Sequence, residues 1–306
     1  VQLQKQEESM LAVKTPLAVC SMLPLLGLLA LPLQARPLSE IRQSGELRIC
    51  IAPEDPTYAI VEPPDCRENC QFTGLIHDES LAFAQSLGPG VQPKWLRVNW
   101  DEQFFNKDGK TVRDASYVPE LLASGKCDFY PTHLTKTEWR LKKMDFVTLF
   151  PGRMLVIVNK SAKRPIRHPS DLAERVAAVQ KDTSHHTWLQ EQNRSAYLSH
   201  PVQIRFMRMA DGVAAVDAGQ VDFSISDPDL AIASTRLLKN IMVAFPVGPS
   251  DEVGWAFRKQ DKDLQAAVQA FFDVQRKQPG SELNRIWKKY FGRSLNEFIA
   301  LIAAVK

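Results

Sequence analysis

Alternation of short β-rich runs with amphipathic runs constrains this chain more than any other feature of it. Residues 45–51 (GELRICI) read as a strand closed by the turn-forming Pro53-Glu54-Asp55-Pro56. Residues 75–87 place apolar side chains at Leu81, Phe83, Ala84 and Leu87, with Gly88 as a stop, and predict a helix. Residues 93–98 predict a strand, 118–123 a helix stopped by Ser124-Gly125, and 127–130 a strand. Strand, helix, strand at this spacing implies parallel pairing and an α/β fold. The second half repeats the order: strands at 154–158, 176–179, 221–225 and 242–247, with helices opening at Pro169 and Thr183, then over 210–218 and 263–278. One phrase occurs twice, as LLASGKCDFY and as AVDAGQVDFSI. Alone, it is common helix–loop–strand grammar.

The N-terminus does not read as part of a mature domain. After the polar residues 1–9, Met10 begins a stretch with one Lys14, an apolar run from Pro16 to Leu33, and Leu33-Gln34-Ala35 as a cleavage site. These are the parts of a secretory signal, so residues 1–35 are expected to be leader and signal peptide, cleaved on export to the periplasm. A retained membrane anchor is the alternative, disfavoured by Pro16, Pro24 and Pro32 inside the run. Loss of Cys20 with the signal leaves Cys50, Cys66, Cys70 and Cys127, an even number in an oxidising compartment. Cys66 and Cys70 flank a short polar turn, while Cys50 and Cys127 lie in strand-like segments. The expected disulfides are Cys50–Cys127 and Cys66–Cys70. A zinc site would need further Cys or His at ligand spacing, which a lone C-x3-C does not supply.

Composition and motifs exclude several classes. The chain has 38 Lys and Arg against 35 Asp and Glu, a net charge of +3, and no long basic block, so nucleic acid is not an expected partner. It contains no G-x-S-x-G, P-loop, G-x-G-x-x-G or H-E-x-x-H. His185-His186 are adjacent and diverge by about 100° on a helix, so they are expected at a surface or hinge rim and no metal is expected.

Six phrases in order carry a resemblance. Gly45-Glu46-Leu47-Arg48, then Thr135-Lys136-Thr137-Glu138-Trp139-Arg140 followed by a basic stretch and Asp145-Phe146, then Gln180-Lys181-Asp182-Thr183, resemble the bacterial extracellular solute-binding proteins for polar amino acids, family 3. Gly219-Gln220-Val221-Asp222 running to Asp227, Gly254-Trp255-Ala256-Phe257-Arg258-Lys259, and Trp287-Lys288-Lys289-Tyr290-Phe291-Gly292 continue the match, over about residues 44–292. The resemblance implies a two-lobed periplasmic-binding-protein-like fold of type II, each lobe a mainly parallel sheet flanked by helices, with two crossing hinge strands. Lobe 1 is then expected over 36–151 plus 248–306 and lobe 2 over 152–247, with crossings at Phe150-Pro151-Gly152 and Pro246-Val247-Gly248. The chain departs from the family where glycine is usual: His133 stands two residues before Thr135, and Asp182 before Thr183. Residues 102–116 read as an insertion.

The expected ligand is a small amino-acid-like solute. A zwitterion in a closed cleft needs both charges paired, because an unpaired buried charge costs several kcal/mol. Arg140 offers a planar fork for a carboxylate. Thr183 and Ser184 stand where a strand enters a helix, so their backbone N–H groups can meet an anion. Thr135 would donate to the same ligand, and Asp227, before Pro228, would accept the ammonium. Tyr58 and Trp100 are candidate aromatic walls, Asp55 a polar specificity contact, and His133 a residue that narrows the cleft or meets the ligand. The chain is expected to be a monomer without cofactor that passes its solute to an inner-membrane transporter permease, and not an enzyme. Two alternatives stand beside this: the sensor ectodomain of a truncated receptor, towards whose membrane the apolar tail 294–306 would lead, and an enzyme on this fold such as a cyclohexadienyl dehydratase, with Asp182 or Asp55 as the cleft acid. Other relatives of the fold precede a lytic transglycosylase domain. No lysozyme-like domain follows residue 306, so that activity is not expected.

Overall fold

A computed structural model describes residues 36–66 and 70–304. The leader and signal expected over 1–35 lie outside the described residues. The strands are β1 (Glu46–Ile51), β2 (Ile60–Glu62), β3 (Gln71–Thr73), β4 (Gln92–Arg97), β5 (Phe129–Thr135), β6 (Asp145–Asn159), β7 (Val176–Val179), β8 (Gln203–Phe206), β9 (Phe223–Ser226) and β10 (Ile241–Phe257). The helices are α1 (Leu38–Ser44), α2 (Leu75–Ser86), α3 (Glu120–Ala123), α4 (Glu138–Leu141), α5 (Ser184–Arg194), α6 (Met209–Asp217), α7 (Pro228–Leu237), α8 (Lys262–Lys277), α9 (Glu282–Phe291) and α10 (Leu295–Ala304).

Among the described residues, eight strands form one sheet in the order β4-β1-β5-β10-β6-β9-β7-β8, and β2 and β3 form a separate antiparallel pair. Pairing is parallel towards both ends, where β1 meets β4 and β5 and where β7 meets β8 and β9. It is antiparallel around the long β6 and β10, of 15 and 17 residues. These two run side by side through the whole sheet. Their register shifts at Val243/Phe245, Val247/Asp251 and Val253/Gly254, and the shift between Val247↔Met154 and Asp251↔Gly152 puts a bulge in β10 where both were expected to cross.

The side chains sort into separate cores on the two halves of the sheet. In one half, Leu47, Ile49 and Ile51 of β1 pack with Phe83, Trp255, Phe272 and Trp287, while Cys50, Phe104, Leu122 and Tyr130 fill the opposite face. In the other, Val156, Val158, Phe223 and Ile225 pack with Leu172 and Leu189, and Ile157, Val213, Val216 and Ile241 lie behind them. Helix α7 straddles the division, since Ala233 joins the first core and Ala231 the second. The disulfides Cys50–Cys127 and Cys66–Cys70 are formed as expected.

The segment from Pro169 is shorter than expected, a single 3-10 turn over Pro169–Leu172. The apolar tail differs more. It folds back as α10, and Leu295 and Phe298 enter the first core, because the ring of Phe298 packs against Phe150, Trp287 and Phe291. No helix among the described residues is long and apolar enough to cross a membrane.

Candidate ligand-binding cleft

The two halves of the sheet face each other across a small pocket. One wall includes Ala52, Asp55, Tyr58 and Trp100, and the opposite wall Gln180, Met209, Asp227 and Leu230. The walls touch. Gln180 Nε2 donates to Glu54 Oε2 at 3.0 Å, and the Thr135 and Ser184 hydroxyls lie 3.3 Å apart.

Arg140 is 1% exposed, on the short helix that follows β5. Its Nη1 donates to the Thr135 carbonyl at 2.9 Å, and its Nε has no partner. The guanidinium lies over the rings of Phe104, Trp139 and Trp100, at 5.0, 5.2 and 5.5 Å from their centroids. Three electron-rich faces stabilise a cation without saturating its donors. Burial lowers this guanidinium to about 10, with the Asp227 carboxylate opposing and Arg113 adding, so it stays charged at neutral pH. A buried Arg without an ion pair is set to receive an anion.

Local chain chemistry places the opposing residues. Thr183 caps α5: its Oγ1 accepts from the His186 amide at 3.2 Å and donates to the Gln180 carbonyl at 2.7 Å. Ser184, the first residue of α5, thereby faces Thr135. Asp227 follows β9 at the N-cap of α7, with its carboxylate free of the helix, and accepts from His185 Nε2 at 3.3 Å. Asp55 is buried and accepts from the Thr57 amide at 2.7 Å. Burial raises both Asp55 and its neighbour Glu54 above the usual carboxylate range. Trp100 Nε1 is buried without a partner.

Arg140, Thr135, Ser184 and Thr183 thus meet on one side of the cleft, with Asp227, Asp55, Tyr58 and Trp100 around the pocket. His133 also lines the pocket, but its ring is engaged elsewhere. Its side chain has no exposure, and both ring nitrogens are taken, Nε2 by Glu79 Oε2 at 2.8 Å and Nδ1 by Asp229 Oδ2 at 2.9 Å. Trp287 Nε1 donates to Glu79 Oε1 at 2.6 Å, and the Tyr58 hydroxyl donates to Asp229 Oδ2 at 2.8 Å. The ring therefore has no nitrogen left for a ligand, and Tyr58 turns its hydroxyl to the same network. His185 and His186 also differ from expectation, since both are buried: α5 turns them inward, against Asp227 and against the ring of Phe206.

Some cleft residues carried no usable sequence signal. Arg113 lies in the segment 102–116, read above as an insertion, and bonds Asp182 and Thr187 on the other wall at 3.0 and 2.9 Å. Glu79 had a faint one: a carboxylate on the apolar face of a helix needs a partner.

The chain's match to known proteins follows this geometry. Residues 47–293 match the family model of the bacterial extracellular solute-binding proteins, family 3. The chain belongs to this family. Its fold is similar to that of a mutant of the arginine-binding protein ArgBP of T. maritima, with a TM-score of 0.65 at 20% identity, covering 84% of this chain and 99% of that one. It is also similar to an ancestral amino acid-binding protein, a precursor of cyclohexadienyl dehydratase, with a TM-score of 0.65 at 24% identity and 83% and 99% coverage. These likenesses establish a two-lobed fold.

The curated relatives overturn the expectation of a protein that is not an enzyme. The chain is 26% identical over 255 residues to membrane-bound lytic murein transglycosylase F of Desulfosudis oleivorans, covering 83% of this chain and 50% of that protein. It is 26% identical over 275 residues to the protein of the same name in Methylobacillus flagellatus, covering 87% and 53%. An enzyme's name thus attaches to proteins that resemble the family 3 part across most of its length. The place where the sequence stops does not exclude that activity. The chain spans about half the length of the curated relatives it matches.

Proposed function

We propose that the cleft binds one small amino-acid-like solute, with its carboxylate on Arg140 and the N-terminal end of α5, and its ammonium on Asp227. The observation that carries this is Arg140, a fully buried guanidinium with an unpartnered Nε beside two hydroxyls from opposite walls. The buried carboxylate of Asp55, with the half-buried Glu54 beside it, favours a side chain that brings a positive charge or hydrogen-bond donors, which Tyr58 and Trp100 would flank. The lobes of this reading are 36–151 plus 248–306 and 152–247, closing about the bulge between Val247 and Asp251.

Binding of this kind serves either delivery to an inner-membrane transporter or the solute-binding part of a larger protein that acts on murein. The names of the curated relatives favour the second. In that reading the chain works outside the cytoplasm, and the solute reports on the wall from which it is released.

A thermal-shift series with L-arginine, L-lysine, L-glutamine and murein-derived peptides tests the binding, because a ligand raises stability by mass action. Arg140→Ala and Asp227→Ala each remove one member of a buried charge pair, a loss of about 2 kcal/mol or more, so affinity by calorimetry should fall about thirtyfold or more. Unchanged affinity in both variants places the site elsewhere.

A further inference from the structure

Asp182 carries a side chain at a backbone φ of +61°, in the left-handed region that favours glycine. Its partners come from both walls. Arg113 Nη2 donates to Asp182 Oδ1 at 3.0 Å, while Nη1 of the same guanidinium donates to Thr187 Oγ1 at 2.9 Å. The Asp182 amide donates to His186 Nδ1 at 3.3 Å, and His186 is held below its ordinary pKa by burial and by Arg113, as an accepting nitrogen requires.

Arg113 is itself held on the opposite wall. Lys143 Nζ donates to the carbonyls of Arg113 and Ala115 at 3.0 and 2.7 Å, fixing the inserted segment from beneath. The Arg113 guanidinium lies 5.2 Å from the centroid of Trp139, the ring that Arg140 also approaches. The inserted segment thus ends in a fork that spans the cleft beside the buried Arg140. Thr183, next along the chain from Asp182, caps α5, and Ser184 faces Thr135. The direction of these residues depends on the backbone turn at Asp182.

We propose that Arg113 is a positioning residue: by gripping Asp182 in its left-handed turn and Thr187 one helical turn on, it aims the N-terminal end of α5 at the carboxylate that Arg140 receives. This rests on the reading of Arg140 as the carboxylate site. It assigns the inserted segment a role in affinity, through the loop and not through the ligand. The Arg113–Asp182 pair is partly exposed, with side-chain exposures of 27% and 31%, so added salt should weaken the grip.

The test uses the full chain, L-arginine as probe, and two readouts: affinity by calorimetry, and hydrogen exchange of the amides over 182–187 without ligand. Arg113→Ala should weaken L-arginine about tenfold and speed exchange over 182–187. Arg113→Lys should fall between wild type and Arg113→Ala, because Asp182 and Thr187 are taken by two separate nitrogens of a planar fork, a spread that one ammonium nitrogen reproduces poorly. Adding Asp182→Gly to Arg113→Ala should restore both readouts, since glycine takes the left-handed turn without a partner. Adding Asp182→Ala should not.

Affinity and exchange within twofold of wild type in Arg113→Ala overturn the inference, as does a double variant with glycine no better than Arg113→Ala alone. If Arg140→Ala loses L-arginine and Arg113→Ala keeps it, the carboxylate site stands and the positioning role falls. If wild type takes no L-arginine, the carboxylate reading fails for this probe, and the exchange data still decide whether Arg113 sets the turn.

Discussion

His133 and Asp182 occupy equivalent predicaments in opposite halves of the molecule, and they are held in different ways. Both carry side chains at positive φ, 46° and 61°, at places where the resemblance led to an expectation of glycine. A left-handed residue with a Cβ costs of order 1–3 kcal/mol and persists only where its surroundings over-determine it. At His133 the surroundings are a core: a ring with no exposure between two carboxylates, tied to β5, α2, α7 and α9. At Asp182 they are a partly exposed ion pair with a segment from the opposite wall. The same backbone strain is therefore a matter of folding in one place and of cleft geometry in the other.

The sharpest way to break this contrast is His133→Gly. Glycine suits the backbone, and on the family pattern alone the change would be harmless. The ring, however, is what neutralises Glu79 and Asp229, both fully buried. Removing one partner of a buried pair typically costs about 3–5 kcal/mol, more than the strain released. Urea unfolding with the disulfides intact should show a loss in that range. A neutral result would mean that the network contributes nothing beyond geometry.

A second test separates charge from shape. Burial alone would depress His133, but the carboxylates of Glu79 and Asp229 outweigh it and push its pKa up to about 10. A folded pKa above the unfolded value near 6.5 gives stability that is full below about pH 6.5 and is lost as pH rises through 10. Melting temperatures taken from pH 6 to pH 10 should fall more steeply in wild type than in His133→Gly. The difference between the two curves isolates the imidazolium from other groups that titrate in this window. Parallel curves would show a ring that is neutral when folded, bonding the carboxylates without its charge.

What the sequence made legible follows from the range of the forces involved. Periodicity and turn chemistry are local, so the α/β alternation and β1, β7 and β9 were readable within a residue or two, while β5, expected over 127–130, runs on to Thr135. The cysteines were readable because export and an even count leave few pairings. Arg140, Thr135, Thr183 and Asp227, the residues proposed to hold the solute, were picked out by the resemblance of short phrases, and the fold adds that Thr135 meets Ser184 across the cleft. The fate of the tail was not, since an apolar helix looks the same whether it faces lipid or a core, and only Phe298 against Trp287 decides. His185 and His186 were misplaced for the same reason. Residues 133 and 182 were visible as departures from a pattern, but their partners Glu79, Asp229 and Arg113 lie 54, 96 and 69 positions away in sequence. No local rule pairs residues at that distance.

The smallest expected effect is the most discriminating for Asp182. Asp182→Gly removes a partly exposed ion pair, worth about 0–1 kcal/mol, and releases a left-handed Cβ strain of about the same size or slightly more. It also frees the unfolded chain, which costs roughly 0.4–1 kcal/mol, because glycine has more conformations to lose on folding. These contributions offset one another, so urea unfolding should place the variant within about 1 kcal/mol of wild type, against the several expected for His133→Gly. The turn would keep its shape, and L-arginine affinity should stay near wild type even as the Arg113 contact to residue 182 is lost. A loss of 2 kcal/mol or more would mean that Asp182 is anchored as His133 is, by its side chain as part of a core. The two left-handed residues would then be alike, and the contrast between folding and cleft geometry would not hold.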